Sequence, residues 1–400
     1  MNTRLSPLEV FRVFLKLGVS CFGGPVAHIG YFHEEFVVRR QWLDDPAFAD
    51  IVALCQFLPG PASSQLGLAI GMHRAGWLGA LAAWIGFTTP SVLLMIAFAY
   101  GIGDLTDPAH AGWLAGLKLV ALPVVAQAVW IMAFKFCRTP ATTAIALIGT
   151  VIILARPSGF APISVIALGA ILGWRFFHDE KATTAPDEKS GPLQIPYGPR
   201  FGSVLLALFL ILFLALPLLT AATHNPAVAT FSNFYWTGSL VFGGGHVVLP
   251  LLQNAVVNPG WVDNSKFLAG YGAAQALPGP LFSFSAYLGT VMKPEPNGWL
   301  GGLWCLLAIY LPGSLLVFAA LPFWENLRRQ SFARAVLKGA NAAVVGLLLA
   351  ALYHPIWTST IQSPADFLLA LVALGLLVIG RWPPWLVVAF SALGGAIFLR

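Results

Sequence analysis

Charge is what this sequence has least of. Only 10% of its 400 residues are Asp, Glu, Lys or Arg, 58% are hydrophobic, and mean hydropathy is +0.79. A water-soluble domain carries about 25% charged residues, so the composition excludes a soluble globular protein. Cysteine is scarce as well. Cys21, Cys55, Cys137 and Cys305 stand singly inside apolar segments, without disulfide or metal-ligand spacing, and read as small hydrophobes. HExxH, GxSxG, GKS/T and CxxC patterns are all missing. That removes the sequence signals for metalloprotease, serine-hydrolase, nucleotide and thiol-redox sites and leaves no enzyme and no cofactor to propose. The N-terminal MNTRLSPLEVFRVFLKLG has no cleavable leader pattern, so the first apolar stretch is expected to stay in the protein. The net charge of +6 does not point to nucleic acid, because Lys and Arg gather in the cytoplasmic loops of membrane proteins.

Long apolar runs are what the chain has in their place, at 77–100, 113–136, 201–219, 300–323 and 367–379. A bilayer crossing needs about 20 such residues. The expected fold class is an all-α polytopic integral membrane protein, with lipids as its surroundings.

The chain also repeats itself. GVSCFGGP at 18–25 echoes GSLVFGGG at 238–245, and QFLPGP at 56–61 echoes QALPGP at 275–280. Phe22 to Trp42 is 20 residues and Phe242 to Trp261 is 19; Trp42 to Pro59 and Trp261 to Pro278 are both 17. GWLGAL at 76–81 then matches GWLGGL at 298–303, Pro90 matches Pro312, and Lys118 matches Lys338. Six echoes in one order define a first repeat over 1–178 and a second over 223–400. Between them lie a polar, proline-rich cytoplasmic linker at 179–200 and a single connecting transmembrane helix at 201–222.

Basic loops hold Arg4, Arg12 and Lys16; Arg39 and Arg40; Arg74; Lys135 and Arg138; Arg175 and Arg200; and Arg334. These belong on the cytoplasmic side, with the N-terminus. Loops at 101–112, 222–232 and 354–366 lack Lys and Arg and belong outside. Arg156 and Lys293 fall on the outer side of this scheme. The assignment makes the two repeats inverted in topology, with helices broken or re-entrant at 22–25, 58–61, 242–245 and 277–280. Full crossings at some of these breaks fit the sequence too.

The breaks locate the chemistry. Irregular backbone survives inside a membrane only where it is buried in protein or lines a polar cavity, and broken helices in paired repeats commonly build a transporter's substrate site. A helix that starts at such a break presents unpaired N–H groups and a partial positive charge to an anion. The candidate binding set is therefore Phe22, Gly23, Gly24, Pro25, His28, Gln56, Pro59, Gly60, Pro61, Ser63 and Ser64 in the first repeat. In the second it is Phe242, Gly243, Gly244, Gly245, His246, Gln275, Pro278, Gly279, Pro280 and Ser283. Candidates for coupling or charge compensation are Lys118 and Lys338, beside apolar runs in both repeats, and Glu34 and Glu35, which have Gln253 and Asn254 opposite. Each has a plainer reading: glycines that allow close helix packing, a hydrogen-bonded core histidine, lysines reaching the headgroups, a solvated helix end.

At FGGP/FGGG and QFLPGP/QALPGP the sequence resembles the chromate ion transporter family, over essentially the whole chain and in the long form with two fused halves. The resemblance implies export of chromate across the bacterial inner membrane, conferring chromate resistance, with sulfate as the related oxyanion. It carries weight onto the glycines and prolines of the four breaks. The second copy departs from the first at Gly245, where the first has Pro25. The reading adopted is a secondary exporter working by alternating access, and the alternatives are an oxyanion channel and a sulfate importer. Protons are a candidate coupling ion, and a homodimer is a candidate assembly.

Overall fold

Helix starts in this chain are written as a capping side chain followed by proline. Ser6, Asp44, Thr139, Asn225 and Ser363 each accept a hydrogen bond from a backbone N–H of the helix they precede, and a proline stands at the first or second helical position of each. Such a cap contributes about 1 kcal/mol, and proline there gives up no needed donor. The computed structural model describes residues 5–103, 111–156, 161–178, 195–242, 245–327 and 330–399, and no strand occurs among them.

The order of elements runs twice. The first pass is α1 (Pro7–Ser20), α2 (Gly24–His33), α3 (Asp45–Phe57), α4 (Ala62–Gly103), α5 (Ala111–Leu119), α6 (Ala121–Phe136), α7 (Pro140–Ala155) and α8 (Ala161–Phe177). After α9 (Pro199–Thr223) come α10 (Pro226–Ser239), α11 (Val248–Val256), α12 (Asn264–Ala276), α13 (Phe284–Val291), α14 (Gly298–Ala320) and the single turn α15 (Trp324–Leu327). The chain closes with α16 (Ser331–Ala351), the short α17 (Thr358–Thr360), α18 (Pro364–Val378) and α19 (Pro384–Phe398). α4 bends at Ala75 and Gly76, where φ of Gly76 is +64°; Gly298, which opens α14, has φ of +58°. The two limbs of α4 thus match α13 and α14.

The one-residue difference in spacing between the repeats also has a structural form. α2 runs on into a π-helix over Glu34–Arg39, whereas α11 ends as ordinary α-helix. A π-turn absorbs a single inserted residue without ending the helix. Glu34 is exposed and takes up the extra position.

Among the described residues, five helical stretches are long and apolar enough to cross a membrane: 62–101, 112–136, 199–223, 298–323 and 331–360. Four of them contain runs read from the sequence. The fifth run, 367–379, falls in α18, which has 15 residues and at 1.5 Å per residue spans only about 22 Å of a hydrocarbon core about 30 Å thick. α16 takes its place in the long set. Arg334, Lys338 and Asn341 interrupt its apolar pattern and hid it as a run. Most of the 179–200 linker lies outside the described residues.

Each repeat lends its last hairpin to the other. α1 packs on α4 and α10 on α14, within their own repeats, but α7 and α8 pack on α16, while α18 packs on α6 and α19 on α5. Small residues allow the contact. A Cβ added at Gly339 of α16 would strike the Gly169 carbonyl of α8, and one at Gly116 of α5 would strike the Ser391 carbonyl of α19. Close backbone approach of this kind is how helices associate in lipid. α9 stands at the edge against α10 and α14, tied by Tyr235 Oη to the Phe209 carbonyl at 3.0 Å and Trp236 Nε1 to the Phe213 carbonyl at 2.8 Å. Its Val204, Leu208, Ile211, Leu214 and Leu218 point outward, as a lipid-facing stripe does.

Candidate functional site: four helix breaks at the repeat interface

Three of the four breaks lie wholly within the described residues and appear as irregular backbone where helices end and start. α1 ends at Ser20 and α2 starts at Gly24; α3 ends at Phe57 and α4 starts at Ala62. α10 ends at Ser239 before a short 3-10 turn, Gly245–Val247, that leads into α11, and α12 ends at Ala276 before Leu281–Ser283 leads into α13. Gly23, Gly24, Gly60 and Gly279 have φ of +98°, +78°, +124° and +90°. These backbone conformations are cheap for glycine and costly for other residues. Gly243 and Gly244 lie outside the described residues, and nothing is described of the Pro25 side chain.

The breaks are joined crosswise. The amide of Gly60 donates to the Val241 carbonyl at 2.8 Å, and the amide of Gly279 donates to the Cys21 carbonyl at 2.8 Å. Each proline-rich break is therefore held against the glycine-rich break of the other repeat. Gln65 strengthens one side, with Nε2 donating to the Pro59 carbonyl at 2.9 Å and to the Gly313 carbonyl of α14 at 3.1 Å. A Cβ on Gly60 would come within 3.1 Å of Gly313 Cα, and one on Gly279 within 3.1 Å of Ser91 Oγ. The nearest backbone to each of these two glycines outside its own repeat is thus the long helix of the other, with Gln65 Nε2 closer still to a Cβ on Gly60, at 2.9 Å.

Buried polar atoms without partners collect around this junction. His28 is fully buried, stands edge-on to Phe87 at 5.3 Å and lies beside the Cys21 backbone, yet neither ring nitrogen reaches a hydrogen-bond partner. The buried hydroxyls of Ser64 and Thr88 hydrogen-bond that of Tyr310. Trp84 stands against Tyr310 at 5.6 Å, and its buried Nε1 has no protein partner. These side chains place several buried donors close together at the junction of the breaks.

The other sequence candidates divide. Ser63 is buried at the same half-helix start, and the Nε2 of Gln275 is buried and unpartnered at the end of α12. Ser283 Oγ donates to the Pro280 carbonyl at 2.9 Å, which closes the local turn and uses its hydrogen there. His246 Nδ1 lies 2.9 Å from Tyr271 Oη, so it is paired where His28 is not. Gln56 is exposed and accepts from Lys135 Nζ at 3.4 Å. Phe22 packs on Trp385 of α19 at 6.1 Å, and both Phe22 and Phe242 are half-buried. Lys338 sits over the Phe177 ring at 4.2 Å, on the α8–α16 contact, and Lys118 is half-buried on α5.

Glu35 is not a solvated helix end. Its carboxylate is buried and receives Arg39 Nη1 and Arg40 Nε, each at 2.6 Å. Burial pushes this carboxyl up, but the Arg40 hydrogen bond and the charges of Arg40, Arg39 and Lys16 outweigh that and hold it below its ordinary range. Tyr310, Thr88, Gln65 and Trp84 escaped the sequence reading. One signal was present: Thr88 and Tyr310 both stand two residues before the matched prolines, Pro90 and Pro312.

Comparison with known proteins agrees with this architecture. The chain is 25% identical over 401 residues to a probable chromate transport protein of Synechococcus elongatus, covering 98% of this chain and 95% of that one. It is 26% identical over 364 residues to a chromate transport protein of Pseudomonas aeruginosa (85% and 79% covered) and 25% identical over 385 residues to one of Cupriavidus metallidurans (92% and 87% covered). No solved structure matches. The chromate transporter family model matches twice, over residues 8–174 and 228–396, in register with the two passes of helices, and the chain belongs to that family.

Proposed function

We propose that the protein exports chromate across the bacterial inner membrane as a secondary transporter, and so confers chromate resistance. The observation that carries this reading is the crossed pair of hydrogen bonds, Gly60 to Val241 and Gly279 to Cys21. Four backbone breaks meet between the two repeats, and that is where an anion can be held by N–H groups and hydroxyls without a buried lysine or arginine. The two repeats lie inverted in the bilayer, N-terminus inside, with α9 as the single crossing that reverses the second. Alternating access follows from tilting one repeat against the other about the crossed breaks. Direction follows from charge: each elementary charge is worth about 2.3 kcal/mol per 100 mV, so a dianion leaving an inside-negative cell gains about 4.6 kcal/mol at 100 mV. The test is chromate flux in proteoliposomes with sulfate as competitor. Saturable, sulfate-inhibited flux is expected; currents of channel size, or no chromate movement, would overturn the carrier reading.

A further inference from the structure

Side chains at matching places in the two repeats form the same pairs with different chemistry. In the first repeat His33 Nε2 meets Asp45 Oδ1 at 2.7 Å, and Arg39 donates to Glu35 at 2.6 Å. In the second, Gln253 Nε2 donates to Asn264 Oδ1 at 2.8 Å, and Asn258 Nδ2 donates to Asn254 Oδ1 at 2.7 Å. Counted across the residue inserted at the π-helix, position 33 falls on 253, 35 on 254, 39 on 258 and 45 on 264. Every titratable member of the first set is a carboxamide in the second, while the pairing survives.

These amides line open space. Two cavities of about 460 and 490 Å³ adjoin at Pro162, Asn254 and Asn258, and Gln253 and Asn264 border the second. The first reaches Thr237 and Leu240, the end of α10 immediately before the third break. No Asp, Glu, Lys or Arg lines either cavity; the basic side chain that borders the second is His354, whose Nδ1 lies 3.0 Å from Thr358 Oγ1. At about 30 Å³ per water, the two cavities together hold roughly thirty waters, or a hydrated tetrahedral anion.

We infer that Gln253, Asn254, Asn258 and Asn264 form a neutral oxyanion station in this cavity, between the third break and bulk water. The inference rests on the oxyanion reading above and adds a second binding place to it. An amide nitrogen carries two hydrogens; the pairs use one on Gln253 and one on Asn258. The other can turn to an anion. A carboxylate at 254 or 264, as the first repeat has at Glu35 and Asp45, would repel that anion; amides keep the scaffold and remove the repulsion. The absence of a cation keeps the hold weak, which suits a place where ions pass without being trapped. The two ends of the pathway thereby differ: Arg39, Arg40 and Glu35 put fixed charge at one, and His354 is the basic side chain at the other.

The experiment uses the full chain in proteoliposomes, with sulfate as the probe for binding and chromate for flux, assayed from each face. Asn254→Asp and Asn264→Asp each place a negative charge in the cavity with almost no change of shape. The expected result is a loss of apparent affinity of at least about tenfold from the face that bears the cavity, with the opposite face unchanged. The double variant Asn254→Glu, Asn258→Arg rebuilds the pair that the first repeat already tolerates; its added charges cancel, so it is expected to fold and to recover most of the affinity that Asn254→Asp loses, and a loss as large as that of the Asp variants would overturn charge repulsion as the cause. Wild-type affinity at both faces in the two Asp variants, with wild-type thermal stability, would overturn the station alone. Wild-type protein that neither binds sulfate nor moves chromate would overturn the oxyanion reading and the station together.

Discussion

Thr88 and Tyr310 occupy the same place in the two repeats, two residues before Pro90 and Pro312, and their hydroxyls meet in the core. Both are buried. Tyr310→Phe keeps the ring against Trp84 and Phe282 and removes the hydroxyl that Ser64 and Thr88 share. Thermal stability is expected to fall by no more than about 1.5 kcal/mol, while chromate flux falls at least about fivefold, the effect of losing one hydrogen bond to a charged ligand. Flux at the wild-type rate would return this cluster to simple core packing.

Gly60 and Gly24 should fail in different ways. At Gly60 a Cβ meets Gly313 Cα at 3.1 Å and the backbone has φ of +124°, so Gly60→Ala is expected to lower stability by about 1–3 kcal/mol. The checks are thermal unfolding in detergent and yield in the membrane. At Gly24 a Cβ meets nothing within 4 Å. Gly24→Leu meets no clash but carries the backbone cost of a φ of +78°; it is expected to reach the membrane with stability lowered by about 1–3 kcal/mol and to abolish flux. A Gly24→Leu variant that transports normally would show that no anion visits this half-helix start.

Glu35 gives a stability signature with pH. Its folded carboxyl is held below the ordinary value, so the contribution is fully present above the unfolded pKa, near 4.3. It fades as pH falls through the lower folded value. Glu35→Gln is expected to cost about 1.5–3 kcal/mol at pH 7. The gap between variant and wild type should close below about pH 4, since the wild type loses the same charge there. Thermal unfolding from pH 3 to 8 measures it; a gap that is constant with pH would mean the ion pairs contribute nothing.

His28 is the one candidate histidine whose ring nitrogens are both unpartnered. Histidine ordinarily changes charge between about pH 5 and 8. His28→Gln keeps a donor and similar bulk, so it is expected to retain flux at neutral pH and to flatten the dependence of flux on pH. A pH profile and an affinity both identical to wild type would make His28 a packing residue and pass the coupling role to Lys118.

Topology has a direct check. Single cysteines at 105 and 330 follow the equivalent long helices α4 and α14–α15. Membrane-impermeant labelling is expected to reach 105 from outside and 330 only from inside; the same side for both would end the inverted arrangement.

The breaks were legible because glycine and proline spell them locally, and each appears as non-helical backbone where it is described. The charged-to-neutral pairs were half legible. Glu34 and Glu35 were set against Gln253 and Asn254, but the partner positions 45 and 264 lie more than ten residues on, across a turn. His33 could be matched to Gln253 only once the π-helix located the insertion. The crossed hairpins were not legible at all. α7, α8, α18 and α19 are uniformly apolar short helices, and nothing in such a run names the surface it will cover. Tyr310 and Thr88 escaped for a related reason, since a hydroxyl in an apolar helix acquires meaning only from what the other repeat brings to it.

The exchanged hairpins bear on how such a chain could be divided. If it were cut between α8 and α9, each fragment would keep its own breaks but carry a hairpin built to cover the other fragment's long helix, leaving Gly339 and Gly116 facing lipid across narrow grooves. Neither piece is then a self-sufficient unit. Co-expressed, the two should find each other and assemble as interlocking partners; expressed singly, each should be cleared by the membrane's quality control, or settle for a second copy of itself in the place of its missing half.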